Sequence, residues 1–128
     1  MASTPSILII EDTLSLARTY EAYLHAAGHT TVCVETGQAG LQALREQKFS
    51  VLLLDVMLPD CNGLDLLKQI HTDHPDLVVI VMTAHGSITM AVDAMRFGAF
   101  DFIVKPFTAA RLQVTVKNAL AQSSLKRE

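Results

Sequence analysis

The chain is poor in cysteine and has no concentration of basic residues, and both shortages exclude classes of function. Two cysteines, Cys33 and Cys61, occur among 128 residues. Because they do not form a CxxC pair, they indicate no metal or redox motif, and we predict two free thiols. Ten Lys and Arg against thirteen Asp and Glu leave a net charge of −3. No basic cluster is present that binds phosphates, so we expect no nucleic-acid binding by this chain alone.

Long apolar runs and a secretory leader are also missing. The longest apolar runs, residues 6–10 and 77–82, are far shorter than the roughly 20 residues that span a bilayer. Residues 1–6 lack the basic segment and the apolar stretch of a signal peptide. We therefore expect a cytoplasmic protein that makes no contact with a membrane.

Half of the residues are apolar, which is enough for one hydrophobic core and predicts one domain. Five short apolar runs recur along the chain, and each precedes a segment with the apolar spacing of a helix. Runs such as ILII, VLLL and LVVIVM are apolar at every position, which is typical of parallel strands covered on both faces. The second run is more polar, so we place it near an edge. The predicted strands span residues 6–10, 30–34, 51–54, 77–82 and 100–104.

Capping signals bound the predicted helices. Gly28 follows the apolar stripe of the first helix and is expected to end it. Gly63 marks the start of the third helix, which stops before Pro75. Thr108 fits the position that caps the last helix. The polar segment 123–128 has no apolar partner and is predicted to be a frayed tail or the start of a linker, so the domain spans residues 1–122.

Charged and hydroxyl side chains follow four of the predicted strands. Glu11 and Asp12 come directly after the first strand, Asp55 after the third, Thr83 after the fourth and Lys105 after the fifth. In an open parallel α/β sheet, ligands bind beyond the carboxyl ends of the strands. We therefore expect these side chains to meet at one edge of the sheet.

Three carboxylates within a few ångströms repel one another unless a cation lies among them. Oxygen ligands favour Mg²⁺ or Mn²⁺, and the five scattered histidines offer no zinc site. A metal beside a carboxylate is also the arrangement that accepts a phosphoryl group. Asp55 then has the role of nucleophile, Lys105 supplies positive charge to the phosphoryl oxygens, and Thr83 supplies a hydroxyl donor.

These residues lie in a series of motifs: Glu11-Asp12 after the first strand, Asp55 in LLLDVMLPDCNG, Thr83 in VMTAHG and Lys105 in DFIVKPF. With these motifs in this order, the chain resembles the receiver domain of two-component response regulators over residues 6–122. The stretch MTAHGSITMAVDAMRFGAFDFIVKPF resembles in particular the receivers of sigma-54-dependent transcriptional activators. That resemblance implies an ATPase and a DNA-binding domain after this chain in the natural protein.

The resemblance implies a flavodoxin-like, doubly wound (βα)5 sandwich whose five-stranded parallel sheet has the order 2-1-3-4-5. It implies phosphorylation of Asp55 by a sensor histidine kinase or a histidine phosphotransfer protein. The family holds Mg²⁺ with an acidic pair, the phosphoacceptor and a backbone carbonyl, and the matching residues here are Glu11, Asp12, Asp55 and Met57. Glu11 stands where Asp is commoner. Such a domain is a signalling switch and not a turnover enzyme.

The resemblance also implies a set of switch residues. Thr83 and Phe102 match the hydroxyl and aromatic positions of the family, and the bond between Lys105 and Pro106 is expected to be cis. Met57 and His85 flank the site and are expected to tune the access of water to the acyl phosphate.

The fourth helix has two apolar arcs instead of one. We predict that one arc packs on the sheet and that the other contacts an output domain or partner protein. The switch hypothesis is that phosphorylation draws Thr83 toward the phosphoryl group, turns Phe102 inward and repositions this helix. The last two strand-helix units are also the expected surface of a homodimer. The arc predicted to face the sheet contains Ile88, Ala91, Val92 and Met95, and the opposite arc contains Met90, Ala94 and Phe97.

Three other functions fit parts of the pattern. A phosphatase with an aspartyl-phosphate intermediate commonly needs an acid two residues after its nucleophile, where this chain has Met57. A nucleotide or flavin binder needs glycines in its first turn, where this chain has Glu11 and Asp12. A receiver-like interaction module that takes no phosphate is the third reading, and the presence of every expected site residue argues against it.

Overall fold

Strands and helices alternate along the chain in the computed structural model, which describes residues 6–84 and 88–127. His85, predicted to flank the site, lies outside these residues. The strands are β1 (Ser6–Ile10), β2 (Thr30–Val34), β3 (Val51–Asp55), β4 (Val78–Thr83) and β5 (Asp101–Val104). The helices are α1 (Leu14–Ala26), α2 (Gly37–Glu46), α3 (Gly63–Asp73), α4 (Ile88–Arg96) and α5 (Ala109–Arg127).

The five strands form one parallel sheet in the order β2-β1-β3-β4-β5. This order confirms the predicted doubly wound fold, and the more polar β2 lies at an edge, as expected. The strand bounds differ from the predicted ones by one residue at four ends, because β3 includes Asp55, β4 begins at Val78 and ends at Thr83, and β5 begins at Asp101. The sheet therefore reaches into the site residues themselves.

Each strand sends alternate side chains to opposite faces of the sheet. In β1, Leu8 and Ile10 enter one buried cluster, whereas Ile7 and Ile9 enter another. The first cluster lies under α2, α3 and α4, and the second lies under α1 and α5. All four of these β1 side chains are fully buried, which agrees with the uninterrupted apolar runs of the sequence.

The helix ends follow the capping signals where the sequence was explicit. Gly28 has φ +89°, a backbone conformation that favours glycine, just beyond α1. The Thr108 hydroxyl accepts a hydrogen bond of 3.1 Å from the backbone N–H of Arg111 at the start of α5. Helix α5 continues to Arg127 and includes most of the segment predicted to be a tail or linker. Cys33 and Cys61 are free thiols, as predicted.

The predicted orientation of α4 is wrong, because the helix packs with its other arc toward the sheet. Ala94 is fully buried, and Met90 and Phe97 pack against the cluster under α2, α3 and α4. Ile88 and Val92, expected to face the sheet, are 82% and 49% exposed. Both arcs are apolar, so contacts with other elements decide the rotation, among them Thr83 against Met90 and Lys68 over Phe97. The existence of a second, exposed apolar arc was predicted correctly, but its residues were exchanged.

Among the described residues, no helix has the length and apolar character needed to cross a membrane.

Candidate functional site

The predicted site residues meet at the carboxyl edge of the sheet. Asp55 and Thr83 are the last residues of β3 and β4, and Glu11 and Lys105 come directly after β1 and β5. Glu11, Asp55 and Thr83 are each at most 3% exposed, whereas Asp12 is exposed. The segments after β1 and β5 and the end of β3 thus bring charged side chains to one place, and the exposed Asp12 lies on its solvent side.

Lys105 lies between two buried carboxylates. Its Nζ donates a hydrogen bond of 2.9 Å to Oδ2 of Asp55 and a second hydrogen bond to Oε1 of Glu11. Burial opposes the charge on Lys105, but the hydrogen bonds and charges of the two carboxylates outweigh burial and raise its pKa. The side chain therefore remains a cation at the centre of the site. The bond between Lys105 and Pro106 is cis, as the sequence resemblance implied.

Burial strongly perturbs the carboxyl group of Glu11. Burial raises its pKa from 4.5 to about 7, although hydrogen bonds from Lys105 and from the backbone N–H of Thr13 act in the opposite direction. The Thr13 N–H donates to Oε2 of Glu11 over 3.2 Å. Glu11 therefore changes protonation near neutral pH.

The three predicted acidic ligands lie close enough to share one metal ion. Glu11, Asp12 and Asp55 each offer an oxygen, and these oxygens lie within 4.8 Å of one another. An all-carboxylate donor set fits a hard divalent cation such as Mg²⁺. The backbone N–H of Met57 donates a hydrogen bond of 3.0 Å to Oδ1 of Asp55, and its side chain is 60% exposed. The fold thus brings together the acidic residues that the sequence singled out.

Thr83 faces a different side of the sheet from the charged residues. By the alternation along β4, Val79, Val81 and Thr83 point toward the cluster under α4. The Thr83 hydroxyl donates to the sulfur of Met90 over 3.4 Å. Phe102 is half-buried against the same cluster. The two predicted switch residues therefore share the α4 side of the sheet.

The loop after Asp55 has an anchor that sequence reasoning missed. Asp60 accepts hydrogen bonds from the backbone N–H groups of Gly37 and Gln38, over 2.9 and 3.0 Å, at the start of α2. These hydrogen bonds lower the pKa of Asp60. A carboxylate at a helix N-terminus is favourable because it pairs with N–H groups that have no partner within the helix. Asp60 lies directly after Pro59 in the LPD sequence, but no local signal identifies its distant partner.

The same loop is closed by Gly63, the first residue of α3. Its N–H donates a hydrogen bond of 3.0 Å to the carbonyl of Val56. A Cβ at this position would lie only 2.3 Å from the Cα of Val56. The sequence predicted the helix start at Gly63, but not the close backbone contact that requires glycine there.

Comparisons with known proteins agree with this geometry. The family described as "response regulator receiver domain" matches residues 7–117. Regulatory protein LuxO of Vibrio vulnificus is 45% identical over 91% of this chain and 26% of its own length. Transcriptional regulatory protein ZraR of Klebsiella oxytoca is 34% identical over 93% of this chain and 27% of its own length. The chain thus spans about a quarter of the length of these relatives.

The crystal structure of the receiver domain of NtrX from Brucella abortus superposes with a TM-score of 0.86 and 35% identity, over 90% of this chain and 98% of that one. These similarities confirm the resemblance drawn from the motifs, and the relatives agree with its narrower form, the receivers of sigma-54-dependent activators. The chain therefore belongs to the family of response regulator receiver domains, the signalling domains of two-component systems.

Proposed function

We propose that this domain is a phosphorylation-dependent switch in which Asp55 accepts a phosphoryl group. The observation that supports this proposal best is the placement of Lys105 between Glu11 and Asp55. These two carboxylates form a cluster of three with Asp12. A carboxylate that is held by an ammonium group in a buried site is positioned for attack, and the neighbouring Asp12 is exposed to solvent. The donor is a sensor histidine kinase or a histidine phosphotransfer protein.

The transfer step requires little more than positioning. One Asp55 oxygen forms a bond to phosphorus while the bond from phosphorus to the donor's histidine nitrogen breaks. The electron pair of the broken bond stays on the imidazole nitrogen, which takes up a proton. Lys105 already contacts Asp55 and supplies positive charge to the phosphoryl oxygens, and Thr83 supplies a hydroxyl from the next strand once that hydroxyl leaves the Met90 sulfur.

The proposed metal ligands are the side chains of Glu11, Asp12 and Asp55 and the backbone carbonyl of Met57. A bound Mg²⁺ supplies positive charge that offsets the negative charge of the phosphoryl oxygens in the transition state. Asp12 is the exposed member of the set, so a cation would reach the site from its side. Glu11 is longer than aspartate, yet its carboxylate oxygen already lies within the cluster.

The proposed output surface is formed by α4, β5 and α5. Ile88, Val92 and Met95 on α4 and Val104 on β5 are exposed apolar side chains. A groove lined by Ala91, Val92, Met95, Arg96 and Phe102 connects this surface to the switch residue Phe102. A patch of this kind suits contact with an output domain, a partner protein or a second copy of the chain. Because relatives such as ZraR are transcriptional regulators, the proposed output is transcription. The proposed location of the domain is the cytoplasm.

The domain is a switch that is changed by its own phosphorylation and not a turnover enzyme. Met57, two residues after Asp55, has no acidic group to protonate a leaving alcohol. Repeated hydrolysis of phosphate esters is therefore not expected.

Acetyl phosphate with Mg²⁺ is expected to add one phosphoryl group to the chain, as measured by intact mass. The Asp55→Asn variant should gain no mass, because an amide oxygen does not replace the carboxylate nucleophile. Asp65→Asn, which removes an exposed carboxylate of α3, is the matched control and should still be phosphorylated. Absence of a mass change in the parent chain, or equal labelling of Asp55→Asn, would contradict the proposal.

The affinity for Mg²⁺ is expected to rise between about pH 6 and pH 8. Burial raises the pKa of Glu11 to about 7, so at lower pH a proton competes with the cation for this carboxylate. Calorimetric titrations across this range measure the effect. Glu11→Gln should bind Mg²⁺ more weakly and with a flatter pH dependence, whereas Asp12→Asn should bind weakly but keep the dependence. Equal pH dependence in the parent and Glu11→Gln would exclude Glu11 as its source.

A further inference from the structure

We propose that Met90 is a positioning residue whose sulfur holds the Thr83 hydroxyl on the α4 side of the sheet and so opposes the phosphorylated state. This inference rests on the proposed function, because it concerns the work that Thr83 does when Asp55 accepts a phosphoryl group. It adds a residue that neither the family motifs nor the predicted switch pair contains.

The contact between the Thr83 hydroxyl and the Met90 sulfur involves a buried threonine. Thr83 is 2% exposed, and its hydroxyl lies 3.4 Å from the Met90 sulfur. Met90 lies in the first turn of α4 and packs against the same cluster as Phe102. A thioether is a weak hydrogen-bond acceptor, whereas a phosphoryl oxygen is a strong, charged one. A phosphoryl group on Asp55 therefore outcompetes the sulfur for the Thr83 hydroxyl, but has to break the existing contact first.

The C-terminal end of α4 has separate attachments to α3. The Nζ of Lys68 lies 4.1 Å from the centre of the Phe97 ring. Gly98, with φ +106°, lies so close to the His71 ring that a Cβ there would be 2.5 Å from it. Ala94, which lies between Met90 and Phe97 in the sequence, is fully buried. Loss of the Thr83 contact therefore removes one contact of the first turn of α4, while the contacts of the other end with α3 are unaffected.

This arrangement explains how a change at Asp55 reaches the apolar groove. Met90 holds one end of α4, and the groove side chains Val92 and Met95 lie on the following turn. When Thr83 leaves Met90, the first turn can shift relative to β5 and change the shape of the groove beside Phe102. The sulfur thus couples the resting position of Thr83 to the resting position of α4.

The test measures the affinity for beryllofluoride, a phosphoryl mimic, in the presence of Mg²⁺. Met90→Leu keeps the volume of the side chain but removes the acceptor, and we expect roughly two- to fivefold tighter binding, the range of one weak hydrogen bond. Met90→Gln offers a stronger acceptor to Thr83 and should bind more weakly than the parent. Thr72→Val removes a side-chain hydrogen-bonding group from an exposed position of α3 and should leave the affinity unchanged.

A double-mutant cycle separates the hydrogen bond from packing. In a Thr83→Val background, Met90→Leu and Met90→Gln should no longer alter the affinity, because no hydroxyl remains to donate. Unchanged affinity in both Met90 variants, or the same changes in the valine background, would overturn the inference. A parent chain that binds no beryllofluoride with Mg²⁺ would overturn the proposed function as well, so the two failures are distinguishable.

Discussion

Replacing Lys105 with methionine is expected to lower the free energy of unfolding by about 2–3 kcal/mol at pH 8 in buffer without Mg²⁺. Methionine keeps most of the volume of lysine but removes the ammonium group between the carboxylates of Glu11 and Asp55. Two buried carboxylates then repel each other without a cation between them. We place the loss slightly below that of a fully enclosed ion pair, because the site opens to solvent at Asp12. Urea unfolding measures it.

The loss of stability in the Lys105→Met variant depends on pH through the protonation of Glu11. Burial already raises its pKa above the ordinary value of 4.5, and loss of the ammonium raises it further. The folded protein then binds the Glu11 proton more tightly than the unfolded chain does, so stability falls as the pH rises through this range. The variant should therefore lose less stability at about pH 6 than at about pH 8. Mg²⁺ should restore part of the loss at the higher pH, because the cation replaces the missing charge.

Two control variants isolate the buried charge. Lys105→Arg keeps the positive charge and should retain more stability than the methionine variant. Lys117→Met removes a lysine from an exposed position of α5 and should change the free energy of unfolding by less than about 0.5 kcal/mol. If Lys105→Met is as stable as the parent at pH 8 without Mg²⁺, Lys105 does not hold the two carboxylates in their ionised form.

The sheet and the charged part of the site were predictable because their signals are local. Apolar runs covered on both faces identified parallel strands, and each strand placed its next polar residue at the same edge of the sheet. That reasoning brought Asp55, Glu11 and Lys105 together without coordinates. The strand order required more, since it came from the resemblance to receiver domains and not from the apolar pattern.

The rotation of α4 about its own axis was not predictable from the apolar pattern. A helical wheel gives the angles between side chains, but with two apolar arcs it does not show which arc faces the sheet. Contacts with other elements fix the rotation, including Lys68 over Phe97 and Thr83 against Met90. The Asp60 anchor was missed for a similar reason, because its partners lie at the start of α2, far away in sequence.

Gly63→Ala is expected to lower the free energy of unfolding by about 2–3 kcal/mol and to weaken Mg²⁺ binding. A Cβ at Gly63 would lie 2.3, 2.6 and 2.7 Å from three backbone atoms of Val56, and backbone in a closed loop cannot move aside as a side chain does. Val56 separates Asp55 from Met57, whose N–H holds Oδ1 of Asp55. Displacement of Val56 therefore disturbs the proposed nucleophile and its neighbouring ligand together. Urea unfolding and Mg²⁺ titration measure the two effects.

Gly40→Ala is the matched control, because its new Cβ would also approach another atom to 2.3 Å. That atom is the terminal Cδ1 of Ile10, a side-chain end that can rotate, and alanine also suits the interior of α2 better than glycine does. We therefore expect a stability change within about 1 kcal/mol and unchanged Mg²⁺ affinity. Equal losses in the two variants would mean that a short approach distance alone sets the cost. A larger loss at Gly63 would show instead that the rigidity of the neighbour decides it, and that the loop after Asp55 has little freedom to adapt.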